Sequence, residues 1–121
     1  MEEIELPKYK NEHYDKSAFG EKFYGDPSSI NLIIDIMVDF LQNEFKNEFH
    51  NSIVNRDLEQ FYFTIHKLKG SAATTCMLNL YKYSVELENV TFEDEALLNS
   101  KVTQINEEIE IILKMIKEEN D

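Results

Sequence analysis

Apolar side chains recur at steps of three and four residues through four successive stretches of this 121-residue chain, and that period belongs to helices. Ile30, Ile34, Met37, Leu41, Phe45 and Phe49 mark the first, a helix expected from 27 to about 50, with Asp35, Asp39, Gln42 and Lys46 on its other side. Residues 51–55 read as a connection, with Asn55 as the cap of the next helix. Leu58, Phe61, Ile65, Leu68 and Ala72 mark that helix, from about 56 to 75. A third, from about 77 to 89, carries Leu78, Tyr81 and Val85 with Leu80 and Leu87 nearby. Thr91 stands three before Asp94, a capping-box-like start for the last helix. There Leu98, Val102, Ile105, Ile109, Ile112 and Ile116 step by 4, 3, 4, 3 and 4, a near-heptad seam suited to shallow helix crossing. Only 3 glycines and 2 prolines punctuate the chain, too few for an all-β fold or a glycine-rich nucleotide fold. The prediction is an all-α, antiparallel up-down four-helix bundle with a short extra N-terminal helix. Asp15 caps that short helix, Phe19 and Phe23 share its face, and Asp26 and Pro27 open the first long one. Residues 1–14 read as a polar arm and 15–121 as the bundle domain.

Charge narrows the partners. Asp and Glu number 24 against 12 Lys and Arg, for a net −12, which repels nucleic acid phosphate and anionic lipid. Residues 1–26 carry −3, 27–85 carry −1 and 86–121 carry −8, so a site that handles an anion is expected in the middle. No stretch approaches the length of an apolar membrane span, and the N-terminus lacks the features of a signal peptide. With one cysteine and no internal disulfide, the expected setting is reducing and cytoplasmic.

Within this middle segment, residues 65–73 depart from packing logic. Gly70 lies inside a predicted helix, where glycine costs about 1 kcal/mol relative to alanine. At 100° per residue, His66 falls near the surface, with Gly70 and Ala73 beside it and Lys69 toward the core boundary. An imidazole next to an ammonium and above a notch suits an anion attached to the ring. Phe63, three residues before, is placed as an exposed aromatic contact for a partner. The plainer alternative is a surface histidine beside a surface lysine.

The run His66-Lys67-Leu68-Lys69-Gly70-Ser71-Ala72 resembles the signature of histidine-containing phosphotransfer (HPt) domains, and the resemblance extends over about 15–118. Residues 14–27, with their Gly-Asp turn, resemble the opening of many such domains. The resemblance implies that His66 is the phosphoacceptor, through Nε2, that Lys69 balances phosphoryl charge, and that Gly70 admits the partner. It also implies a Gln or Glu on the next helix bonded to the other ring nitrogen, a position that falls on Glu88, with Glu86 as its rival. Phe63, Lys67, Gly70 and Ala73 form the expected binding face. Cys76 stands where the family often has glycine, so a different local turn is expected there. The implied function is a phosphorelay carrier that takes a phosphoryl group from the receiver domain of a hybrid histidine kinase and passes it to the receiver of a response regulator. It would be a monomer with no cofactor of its own and no ATP-dependent kinase activity, the receiver supplying Mg²⁺.

Two other classes fit a helical bundle. A metal site needs inward His and carboxylate pairs, and His13, His50 and His66 fall on an arm, a helix end and an outer face, with no Glu-x-x-His pair. A non-catalytic adaptor bundle, with His66 incidental, is the remaining alternative.

Overall fold

Asp15 starts the first helix, its carboxylate accepting from the Ala18 N–H at 2.9 Å. This computed structural model describes residues 11–119, and among them all regular structure is helical. The elements are α1 (Lys16–Lys22), α2 (Pro27–Asp39), a π-helical turn (Phe40–Glu44), α3 (Phe45–Val54), α4 (Leu58–Thr74), α5 (Leu78–Leu87) and α6 (Glu95–Glu119). No helix among the described residues is long and apolar enough to cross a membrane.

α2, the π turn and α3 form one rod, because the residues at both junctions stay right-handed helical. The sequence pattern placed a connection at 51–55, but the helix runs on through Val54. Asn55 closes α3, and Asp57 caps α4 by accepting from the Gln60 N–H at 3.1 Å. Thr91 likewise gives way to Asp94, which caps α6 through the Leu97 N–H at 3.0 Å.

Consecutive long helices pack side by side, α3 on α4, α4 on α5 and α5 on α6. The core between them joins Phe45, Phe49, Phe61, Ile65, Leu68, Leu80, Leu87, Ile105 and Ile112. Phe49 and Phe61 stack at 5.6 Å, and Phe92 meets Phe61 edge-on at 5.2 Å. On α5 the buried face is Leu80, Ser84 and Leu87, so the expected Tyr81 and Val85 stripe is exposed. The pattern misled because Ser84 counts as polar. Its hydroxyl is satisfied by the Leu80 carbonyl at 2.7 Å, so it can be buried.

Three helices end in one way. In α1, α3 and α4 the residue after the C-cap is left-handed, at Tyr24 (φ 54°), Arg56 (φ 51°) and Cys76 (φ 57°). The paired bonds of a Schellman closure follow each time, as in Met77 N–H to Ala72 C=O at 3.0 Å and Cys76 N–H to Ala73 C=O at 3.4 Å. Glycine is the usual occupant of that position, and none of the three is glycine. At Cys76 the turn therefore keeps the left-handed geometry that glycine favours, contrary to the expectation of a different turn.

The described arm residues lie across the α4–α5 turn. Asp15 N–H donates to the Cys76 carbonyl at 3.1 Å, and Asn79 N–H to the Glu12 carbonyl at 2.8 Å. His13 Nδ1 meets Glu108 Oε2 of α6 at 2.7 Å, and Glu108 is only 3% exposed. Of the predicted arm, residues 1–10 lie outside the described residues.

Candidate functional site

α4 has two faces. Phe61, Thr64, Ile65, Leu68 and Ala72 enter the core, and the helical period places Phe63, His66, Gly70, Ala73 and Thr74 on the opposite side, where all are exposed. The His66 ring makes no hydrogen bond or ion pair with any described residue. Four residues on, a Cβ added to Gly70 would meet nothing within 4 Å, so the surface beside the ring is open. Phe63 is 57% exposed, as its spacing predicted.

A lysine stands on each side of His66, and each is tied to a different neighbouring element. Lys67 reaches the rod, with Nζ 3.0 Å from Glu44 and 3.5 Å from Glu48, and lies over the Phe40 and Phe63 rings at 5.9 and 5.4 Å. The π turn ends at Glu44, the residue that meets Lys67. Lys69 reaches the C-cap of α5, with Nζ 2.7 Å from Glu88 Oε1. That contact is a close charge pair rather than an aligned hydrogen bond, since Oε1 is sheltered and lacks a donor in bonding geometry. The carboxylates hold both ammonium groups above the usual lysine range, Glu44 acting chiefly on Lys67 and Glu88 on Lys69.

These contacts correct one expectation. Glu88 does not hold a ring nitrogen of His66; its carboxylate is taken by Lys69. A full positive charge outcompetes a neutral ring N–H for the same oxygen. Glu86, the rival candidate, is turned away toward α6, where it pairs with Lys101 at 2.8 Å.

The sequence reading missed the wall facing His66. A groove of about 560 Å³ runs between α4 and the rod, with Ile33, Ile36, Met37 and Phe40 on one side and His66 and Gly70 on the other. Leu32 and Ile36, just outside the core stripe of α2, are each 61% exposed. The signal was present as the run Leu32-Ile33-Ile34 with Ile36, more apolar residues than one buried stripe can hold.

Among the described residues no three His, Cys, Asp or Glu side chains are grouped to hold a metal ion. His50 lies exposed on α3 and lines a different groove from the one beside His66. Comparison with protein-family models, with curated proteins and with solved structures finds no match to this chain.

Proposed function

We propose that this chain is a histidine phosphotransfer protein of a multistep phosphorelay, folded as an antiparallel four-helix bundle and working in the cytoplasm as a monomer. The observation that carries the reading is the exposed His66 ring, unencumbered by any described side chain, above the open backbone of Gly70 and beside exposed Phe63 and Ile36. That arrangement suits a ring that must be reached by a second protein's active site.

The reaction needs a neutral imidazole. The Nε2 lone pair attacks the phosphorus of an aspartyl phosphate in a receiver domain. The N–P bond forms as the bond from phosphorus to the carboxyl oxygen breaks, the aspartate leaves as carboxylate, and the Nδ1 proton stays on the ring. Lys69 supplies the nearby positive charge. It leaves Glu88 for the phosphoryl oxygens as the transferred group arrives, and returns when a second receiver removes it. Phe63, Ile36 and the Gly70 notch form the docking face, and Lys67, tied to Glu44 and Glu48, steadies its edge. The receiver supplies the divalent metal and the acidic pocket.

Incubation with a phosphorylated receiver tests the reading. Label is expected on His66 as an acid-labile, base-stable phosphoramidate, and His66→Gln is expected to fold normally and take none. Label that persists in His66→Gln would refute the assignment, and absence of label from a panel of receivers would favour the adaptor alternative.

A further inference from the structure

Four side chains from the rod and α4 converge on one ammonium beside His66. Lys67 Nζ lies 3.0 Å from Glu44 and 3.5 Å from Glu48, and 5.9 and 5.4 Å from the ring centroids of Phe40 and Phe63. Phe63 stands one turn before Lys67 on α4, whereas the other three belong to the rod, so the ammonium spans the end of the groove between them.

The rod presents two carboxylates there because of its π turn. Met37, Leu41, Phe45 and Phe49 are all buried yet step by four, which drifts about 40° per step at the α-helical period. The turn Phe40–Glu44, closed by the Phe45 N–H on the Phe40 carbonyl, takes up that drift. It keeps Phe45 and Phe49 in the core, and it keeps Glu44 and Glu48, the residue before each, on the edge facing α4.

Phe63 is 57% exposed, and a ring so exposed has several rotamers open to it. Here a cation fixed by two carboxylates, and seated against the buried Phe40 ring, lies over its face. We infer that Lys67 is a positioning residue: pinned by Glu44 and Glu48, it holds the Phe63 ring in one orientation as a preformed anchor for the receiver and takes no part in holding the phosphoryl group. The inference rests on the phosphotransfer reading and adds to it the residue that orders the docking face. A side chain ordered before the encounter loses less entropy when a partner buries it. To reach a phosphoryl group, Lys67 would have to leave two carboxylates and two rings, whereas Lys69 leaves one carboxylate.

The test uses the full chain and the receiver, from a panel, that labels His66 fastest, with initial transfer rates measured against receiver concentration. Lys67→Met keeps the apolar stem and removes the charge. It should raise KM roughly two- to fivefold with kcat unchanged, and Lys67→Arg should restore the wild-type KM. Phe63→Ala should raise KM further than Lys67→Met does, and adding Lys67→Met to it should change nothing more, because the pin acts through that ring. Lys82→Ala, which removes an exposed lysine of α5, controls for lost charge and should leave KM as it was. With no receiver present, NMR couplings should show one Phe63 χ1 rotamer in the wild type and an average of several in Lys67→Met. Effects of Lys67→Met and Phe63→Ala that multiply would overturn the inference, as would a fall in kcat at unchanged KM, or a Phe63 ring equally ordered with and without the cation. Label absent from His66 with every receiver would instead overturn the phosphotransfer reading, and this inference with it.

Discussion

Substitution at Gly70 tests folding and the proposed docking separately. It lies in the interior of α4, exposed, where an added Cβ meets nothing within 4 Å. The side-chain bond to its carbonyl, from the Thr74 hydroxyl at 3.0 Å, uses the main chain and survives substitution. Gly70→Ala therefore adds no clash and removes backbone freedom from the unfolded chain, a gain of about 1 kcal/mol. For a chain of this length the unfolding entropy is about 250 cal/mol/K, so the melting temperature should rise by about 4 °C. Gly70→Gln should gain somewhat less, because glutamine is a slightly poorer helix former than alanine. Its side chain nevertheless projects beside His66, where the proposed receiver would approach. The expected pair of results is a higher thermal midpoint by circular dichroism and a lost transfer of label from a phosphorylated receiver. A lower midpoint for Gly70→Ala would refute the open, unstrained helix at this residue. Transfer at the wild-type rate in Gly70→Gln would refute docking over it.

Other perturbations follow from particular contacts. Glu88→Gln releases Lys69 from its 2.7 Å pair, so the steady-state fraction of phosphorylated His66 should rise. Lys69→Ala should lower that fraction and abolish the effect of Glu88→Gln in the double variant. His13→Ala leaves the Glu108 carboxylate buried without its 2.7 Å partner and should cost about 1–3 kcal/mol in urea unfolding, which the double variant with Glu108→Gln should largely restore. Tyr24→Gly removes a fully solvated side chain from a left-handed position and should stabilise by about 0.5–1 kcal/mol by the same assay. Burial raises the Tyr14 phenol above its ordinary 10.0, and ion pairing raises Lys67 and Lys69 above 10.5, so the protonated forms are favoured in the folded state. Their contribution is complete below those ordinary values and is lost as pH rises through the raised ones. The melting temperature should not fall on their account until about pH 10, and Tyr14→Phe should make the fall beyond it shallower. A steep loss between about pH 8 and 9 would contradict this assignment.

The helical class and the exposure of His66, Phe63 and Gly70 were legible in the sequence, because a period of 3.6 residues is a local property that survives without knowledge of the neighbours. Asp15, Asp26 and Pro27 marked their helix starts correctly, since a helix start is decided within four residues of chain: Asp15 caps α1 through the Ala18 N–H, and Asp26, holding the Ser29 hydroxyl, precedes Pro27 at the first helical position. Where two local signals competed, the outcome was tertiary. Asn55 is as apt in type as Asp57, but packing of α3 on α4 carried the rod through Val54 and moved that cap, whereas at α6 Asp94 is simply the stronger capping type than Thr91. The α5 stripe settled on Ser84 rather than Tyr81 because a small hydroxyl with a carbonyl partner fits between packed helices and a large ring does not.

The site divides the same way. Periodicity put His66, Lys69 and Gly70 on or beside one exposed face, but a lysine's partner depends on which helix end lies within reach of its flexible stem. Only the packing of α5 on α4 brought the C-cap carboxylate of Glu88 to Lys69 rather than to the imidazole. Likewise, only the fold brought Glu44, 23 residues before Lys67, to its ammonium, and His13, 95 residues before Glu108, to its carboxylate. Charge pairing across helices has no period in the sequence, because it is set by the distance between chains and not by the step along one.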